Sequence, residues 1–331
     1  MRLRLEPLLL ARAGHHMAGP EREAVPVKTP SARATHDHTA RPNVHRFAKS
    51  LTLVVLTRDR SARLLETLAE LGGLGAAIIV VDNGSTDETA AQVLARFPAT
   101  RIVRFSENRG AAARTAAVEL ASTEFVAFTD DDSWWAPGAL ERGVRALRSD
   151  RRVGLIAARV LVGPDLRLDP VSALMRRSPL ASDPPLQGPR VLGFVACAAI
   201  CRRDAYLATG GFHPRFGIGG EEGLLALDLA GQGFACAYLD EVVAHHHPAR
   251  RSGDRASRRR RDRRTARNDL WTAWLRLPIR HACVRTAVIS VRHEGPRALL
   301  GALPGVFWVI RQRRRVSASL ARDVRQVEAV R

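Results

Sequence analysis

The stretch FVAFTDDDS, residues 125–133, carries an apolar run straight into three consecutive carboxylates, Asp130, Asp131 and Asp132. Such a run suits a strand covered on both faces, and the charge cluster then marks its end at the rim of the sheet. Adjacent carboxylates repel, so the triplet is tolerated where solvent or a cation neutralises it. In an extended chain alternate residues share a side, which lets Asp130 and Asp132 converge on one ion. Hard oxygen donors that leave positions open for phosphate suit Mg²⁺ or Mn²⁺. A solvated acidic turn that caps the following helix fits the same residues.

Upstream, Leu51–Leu56, Ala77–Val81 and Ile102–Phe105 read as three further strands, each followed by a helical pattern. Leu64, Leu65, Leu68 and Leu71 form a stripe behind Ser61, a candidate cap, and Ser85 with Glu88 suggests a capping box before Val93, Leu94 and Phe97. Strands alternating with helices imply right-handed crossovers and a mainly parallel sheet, an α/β fold. In open α/β sheets ligands bind beyond the C-terminal ends of the strands. Here those ends carry Thr57, Arg58, Asp82, Asn108 to Gly110 and the Asp triplet. Neither a GxGxxG nor a GxxxxGK[ST] pattern accompanies them, which excludes the dinucleotide fingerprint and the Walker loop.

Downstream, Pro137 starts a helix, Val153–Val162 is strand-like, and 163–190 reads as a long loop able to cover a ligand. Gly193–Cys201 reads as a strand, RRDAYLATGGF as a short helix ending at Gly210-Gly211, and GIGGEEGLLALDLAGQGF as a glycine-flexed turn with two glutamates opening a helix. A last strand ends in EVVAHHHP. The domain limits follow: a disordered leader over 1–48, the α/β domain over 49–248, and an arginine-rich, helical extension over 249–331.

The charge balance is 52 Lys and Arg against 33 Asp and Glu, or +19, with a sequence pI of about 11.4. It favours an anionic partner: nucleotide phosphates, nucleic acid or an anionic membrane face. Aromatics at 5% and the lack of any nucleic-acid-binding signature argue against a specific nucleic-acid reader. Cys197, Cys201, Cys236 and Cys283 lack metal-ligand spacing and read as buried small residues in a reducing compartment. No apolar stretch is long enough to span a bilayer, so the expected location is cytoplasmic. Ala298–Ile310, between Arg297 and Arg311–Arg315, suits either an interfacial helix at the inner face of an anionic membrane or a core-packing helix with a basic end.

Taken in order, TRDR, VVDNGSTDET, ENRGAAART, FTDDDS, GGEE before LLALDL, and HHHP resemble the family-2 glycosyltransferases of GT-A fold over roughly residues 50–248. The resemblance implies that Thr57, Arg58 and Asp82 hold the nucleotide base and ribose. It places Asn108, Gly110 and Arg114 near the nucleotide and its diphosphate, Asp130 and Asp132 in the DxD metal motif, and Asp131 at the sugar or ribose. A histidine after the last strand completes such a metal site, here His245, with His246 as its rival. The family's base sits in a Glu-Asp pair at a helix start, which corresponds to Glu221-Glu222; Glu222 is the expected base, although Glu stands where the family has Asp.

The implied cofactor is Mn²⁺ or Mg²⁺, the implied donor a UDP, GDP or dTDP sugar, and the implied acceptor a hydroxyl on a cell-surface glycan, a lipid-linked glycan or a secondary metabolite. Without a Q-x-x-R-W motif or membrane spans the expected reaction is transfer of a single sugar with inversion. A nucleotidyltransferase on a similar scaffold and a non-catalytic anionic-surface binder are the alternatives.

Overall fold

The computed structural model describes residues 49–248 and 255–330; the expected leader over 1–48 and the start of the arginine run lie outside the described residues. Strand β1 (Leu51–Thr57) is buried along its whole length. Its alternate residues feed two cores: Val54 and Leu56 join Val126 and Phe128 on one face of the sheet, while Leu51, Leu53 and Val55 join Phe125 and Ala127 on the other. A strand with both faces covered has no polar side, which is why its sequence reads as a continuous apolar run.

The remaining strands are β2 (Ala77–Asn83), β3 (Arg101–Phe105), β4 (Phe125–Asp130), β5 (Ser133–Trp135), β6 (Val153–Val162), β7 (Arg167–Leu168), β8 (Arg190–Val191), β9 (Ala199–Arg202) and β10 (Ala235–His246). They form one ten-stranded sheet in the order β3-β2-β1-β4-β9-β6-β10-β5, with β7 on β6 and β8 on β10. The β3-β2-β1-β4 half is parallel, as is β6 with β10, and β9 runs antiparallel between the two halves. The sheet is therefore mixed and mostly parallel.

Helices α1 (Ser61–Gly72), α2 (Thr89–Arg96), α3 (Arg114–Leu120) and α4 (Ala139–Ser149) follow the first strands, and α1 buries Leu64, Leu68 and Leu71 as its stripe requires. Two caps differ from expectation. Ser61 makes no cap bond at α1, and α2 starts after Glu88 with no side-chain cap. The Ser85 hydroxyl instead accepts from the Asp59 N–H at 3.0 Å and so ties the β1 and β2 loops together.

The segment 163–190 is not an unbroken loop. It contains α5 (Pro170–Arg176), with proline in its first turn and the Asp169 side chain accepting from the Val171 N–H at 2.7 Å. Proline there costs no helical bond, since the first N–H groups have no partner within a helix. The expected strand over Gly193–Cys201 is shorter: a 3₁₀ turn occupies Ala196–Ala198 before β9. Cys197, Cys201 and Cys236 are buried, whereas Cys283 is exposed, contrary to the expectation for all four.

After α6 (Arg203–Ala208) and α7 (Glu221–Gly231) come five C-terminal helices: α8 (Arg255–Arg276), α9 (Ile279–Ser290), α10 (Gly295–Ala302), α11 (Val306–Gln312) and α12 (Ala318–Ala329). They fold back onto the α/β domain. Trp271, Leu275 and Val309 close over Phe216 and Leu224, and Leu277, Leu320 and Val324 close over Leu180, Leu192 and Leu227. Arg276 also grips the Asp228 carboxylate of α7, with Nη2 2.9 Å from Oδ2.

A buried charge network fixes α8, α9 and α12 to one another. Arg285 lies 3.4 Å from Asp269 and 3.2 Å from Glu328, and His281 Nε2 lies 2.8 Å from Glu328. Removing Arg285 takes a guanidinium away from two buried carboxylates at once, Asp269 and Glu328. Arg285→Ala should lower the unfolding free energy by about 3–5 kcal/mol, measured by urea denaturation.

Candidate active site

The sheet register collects functional groups at one rim. Thr57 pairs with Asp82, and Leu56 with Asp130, so β1, β2 and β4 end level with one another. Asp82 is fully buried; its Oδ1 accepts from the Ser85 N–H at 2.8 Å. Its Oδ2 receives no hydrogen bond, although Arg104 Nε stands 3.3 Å away. A buried carboxylate oxygen without a donor is a costly feature that a ligand hydroxyl or N–H would relieve. Arg58 is exposed beside this position and pairs with Asp59 at 3.3 Å.

The Asp triplet does not continue as a strand. Asp130 ends β4, and Asp131 and Asp132 form a turn into β5, so the three do not alternate along one extended strand and each takes its own partners. Asp130 pairs with Arg114. Asp131 accepts from the Thr57 hydroxyl at 2.9 Å and from Arg60 Nη1 at 3.0 Å, and its backbone carbonyl accepts from the Thr67 hydroxyl at 2.7 Å. The same Arg60 Nη1 reaches Asp132 Oδ2 at 2.9 Å. Burial pushes the Asp131 carboxyl up to about 6, the Arg60 charge opposing and the charges of Asp130 and Asp132 adding to the rise. For Asp132 burial acts in the same upward direction, but hydrogen bonds from His246 and Arg60 outweigh it and hold the carboxyl below its ordinary value.

The histidine that meets this cluster is His246, not His245. Strand β10 pairs antiparallel with β5, placing His245 opposite Trp134 and His246 opposite Ser133. Neighbouring residues of a strand point to opposite faces. The His245 ring accordingly stacks on Trp134 with centroids 5.5 Å apart, while His246 Nε2 stands 3.3 Å from Asp132 Oδ1. Among the described residues no group of three or more His, Cys, Asp and Glu side chains is assembled to hold a metal. The expected convergence of Asp130, Asp132 and His245 is thus replaced by the pair Asp132–His246. A carboxylate oxygen beside an imidazole nitrogen fits Mn²⁺ or Mg²⁺ where substrate phosphates complete the shell, since such ions take only one or two protein carboxylates in phosphate sites.

Arg114 links this cluster to the glutamates. Its side chain is 3% exposed, pairs with Asp130, and lies over Phe212 at 5.8 Å. Burial lowers its pKa, but the charges of Asp130 and Glu221 prevail and keep the guanidinium firmly cationic. Glu221, at the start of α7, is buried and turns back to accept from the Gly219 N–H. Its carboxyl is raised well above the usual range by burial and by the Glu222 charge. Glu222 is half-buried and also raised, first by burial, with Asp130 adding to the rise and Arg114 and the Ala196 backbone opposing it. Of the two, Glu222 is the one that keeps access to solvent.

Asn108 and Gly110 shape the loop between these groups. Asn108 Oδ1 accepts from the Gly110 N–H at 2.9 Å and from Asn83 Nδ2 at 3.1 Å. Gly110 has φ +61° and faces Gly217, whose carbonyl accepts from the Ala111 N–H at 3.0 Å. A Cβ at Gly110 would lie 2.5 Å from the Gly217 Cα, a clash with backbone that neither side can rotate away. Gly110→Ala is expected to destabilise the protein by about 1–3 kcal/mol and to weaken nucleotide binding, read by urea unfolding and calorimetry.

Comparison with known proteins agrees with this arrangement. Residues 52–209 match the model for glycosyl transferase family 2. That segment, just under half of the chain, matches as a family-2 glycosyltransferase domain. The match takes in most of β1 through α6 and so includes Thr57, Arg58, Asp82, Asn108, Gly110, Arg114 and the Asp triplet, while the glutamates of α7 and the histidines of β10 lie beyond it. A segment of 69 residues is 39% identical to the succinoglycan biosynthesis protein ExoU of Rhizobium meliloti (strain 1021), covering 20% of each chain, so the likeness spans about a fifth of that relative's length.

Among solved structures, the family-2 domain and its C-terminal helices resemble the mannosyltransferase PcManGT from Pyrobaculum calidifontis in complex with GDP-Man and Mn²⁺. The TM-score is 0.53 and the identity 20%, with 85% of each chain covered. GalNAc-T7 with UDP, GalNAc and Mn²⁺ gives a TM-score of 0.54 at 14% identity, over 70% of this chain and 49% of that one. Residues 1–349 of S. aureus TarS with UDP give 0.52 at 15%, over 73% and 70%. At these identities the likeness establishes the shared GT-A fold.

Three groups around the site have no role assigned by the sequence, although Arg60 closes the TRDR motif. Arg60 and Thr67 brace the Asp triplet, yet each is an ordinary residue in or beside the first helix. Asn268, far along the chain on α8, donates to the carbonyls of Phe216 at 2.9 Å and Gly219 at 2.6 Å and so holds the turn that leads to Glu221. The density of turn glycines in GIGGEE was the available clue, because a turn of that kind needs external partners for its carbonyls.

Proposed function

We propose that the protein transfers a single sugar, with inversion, from a UDP, GDP or dTDP sugar to the hydroxyl of a glycan, lipid-linked or secondary-metabolite acceptor. The observation that carries the reading is the buried Arg114: it pairs with Asp130, both lie within electrostatic reach of Glu222, and Asp130 lies within such reach of His246, the partner of Asp132. This chain of electrostatic contacts supports a donor side and a candidate base within one site. Mn²⁺ bound in two of the solved structures of this fold supports a divalent ion here, and the nucleotides bound in them support a nucleoside-diphosphate donor.

In this reading Asp82 accepts from the base or ribose with Oδ2, which faces Arg104 but receives no hydrogen bond, beside Thr57 and Arg58. Arg114 lies towards the diphosphate with Asn108 and Gly110 shaping the loop around it. Asp132 and His246 hold the ion, which when bound takes up charge on the departing diphosphate. Asp131, tied to Thr57 and Arg60, faces the sugar or ribose, and Asp130 keeps Arg114 in place. Glu222 takes the proton of the acceptor hydroxyl as its oxygen bonds to the anomeric carbon. The bond from that carbon to the diphosphate oxygen breaks, and its electron pair leaves with the diphosphate. Attack from the face opposite the leaving group inverts the centre.

The test is a calorimetric panel of UDP, GDP, dTDP and CDP, each with Mn²⁺ and with EDTA, followed by product analysis with the matching sugar donor. One nucleoside diphosphate that binds only with metal, and its release on turnover, is the expected result. Release of pyrophosphate, or no metal-dependent binding at all, would overturn the reading.

A further inference from the structure

The C-terminal helices expose an apolar stripe that no part of the described chain covers. Leu300 (67% exposed), Leu303 (60%), Phe307 (87%) and Ile310 (67%) follow one another at steps of three, four and three residues along α10, a 3₁₀ turn at Leu303–Gly305, and α11. That spacing puts them on a single side of the path. The opposite side is firmly seated: Ala298 and Val309 are buried, Trp271 Nε1 donates to the Ala302 carbonyl at 3.1 Å, and Trp308 stacks on His213 with centroids 4.8 Å apart. The stripe therefore faces outward because its reverse is the packed face. It is held in that pose.

Charge narrows the occupant. Residues 295–322 contain six arginines and no Asp or Glu. Arg297, Arg311, Arg314 and Arg315 are exposed around the stripe, and Arg313 is tied inward to the carbonyls of Trp274 and Leu277. A second copy of the chain would bring the same uncompensated arginines against these, which like-charge repulsion opposes. A nucleic acid would meet the charge but not the exposed Phe307 and leucines. An anionic bilayer meets both: acyl chains accept the apolar side and phosphate headgroups the guanidinium rim.

We propose that the Leu300–Ile310 stripe and its arginine rim seat the protein on the surface of an anionic phospholipid membrane. No described helix is long and apolar enough to cross a membrane, so this is attachment in the interfacial plane. On the packed reverse of the stripe the Arg215 guanidinium lies over Trp308, 5.5 Å from the ring centroid, so the helices that carry the stripe pack beside the segment that leads to Glu221 and Glu222.

The experiment is co-sedimentation of the full chain with vesicles of phosphatidylcholine alone, and of phosphatidylcholine with phosphatidylglycerol, at low and high salt. Strong binding to the anionic vesicles is expected, weakened but not abolished by salt. Phe307→Glu with Ile310→Glu should lower partitioning at least about tenfold while the unfolding midpoint and nucleotide binding stay unchanged. A milder pair, Leu303→Ser with Phe307→Ser, should fall between the two. Failure of the wild type to bind anionic vesicles would overturn the proposal. So would equal binding by the stripe variants, or a wild-type dimer in light scattering that the stripe variants convert to monomer. None of these readouts depends on sugar transfer, so they stand apart from the test of the catalytic reading.

Discussion

Glu222→Gln is expected to lower kcat by about 10²–10⁴-fold, the usual contribution of a positioned general base, with nucleotide affinity little changed. Glutamine keeps the shape of the side chain and removes its basicity. The pH profile supplies a second, independent readout. The Glu222 carboxyl is raised by burial, and a base works only when deprotonated. The activity carried by Glu222 is therefore lost as pH falls through a value above the ordinary glutamate range, and this acid limb should vanish in Glu222→Gln. Glu221→Gln is expected to act differently, because that carboxyl is buried and bonded to the Gly219 N–H. Its cost should appear in stability. A larger loss of kcat in Glu221→Gln than in Glu222→Gln, at equal folding, would move the base to Glu221.

Asp132→Ala should weaken Mn²⁺-dependent nucleotide binding by at least about 10²-fold, since even groups that only orient metal ligands are worth 10–100-fold. The comparison of His246→Ala with His245→Ala sharpens the test. The first removes the nitrogen 3.3 Å from Asp132, while the second removes a ring stacked on Trp134. Mn²⁺ affinity, titrated by calorimetry or electron paramagnetic resonance, should fall for His246→Ala and change little for His245→Ala. Chelation by EDTA should bring the wild type down to the level of Asp132→Ala and leave that variant unchanged. The reverse order of the two histidine variants would return the ligand role to His245.

The parallel half of the sheet was legible in the sequence because strands covered on both faces are mostly apolar, and β1, β2 and β4 run mainly apolar until polar residues close their C-terminal ends. The site was legible as a set of strand ends, since β1, β2 and β4 finish level and carry Thr57, Asp82 and Asp130. Side-chain direction was not. Three adjacent histidines give no hint of which faces the acids; that is settled by the pairing of β10 with β5, a strand of three residues that the sequence did not announce. The sequence suggests an extended triplet, whereas it turns after Asp130, which pairs with Arg114 while Asp132 pairs with Arg60 and His246. Arg60 escaped notice for a related reason: its partners lie 71 and 72 residues away, and no local pattern records a contact of that range. The short helix α5 was hidden by prolines that here start a helix or flank it.

The contact between Gly110 and Gly217 joins the turn after β3, near the donor side, to the turn that introduces the glutamates. Two glycines pressed backbone to backbone leave no compliant side chain between them, so a displacement of one turn is transmitted to the other. Under the proposed roles of the two turns, donor preference and acceptor activation would then be inherited together. Substitutions that retune residues 108–114 for a new donor should carry a penalty in kcat, and variants selected for acceptor scope should drift in donor affinity, unless a compensating change arises on the opposite turn.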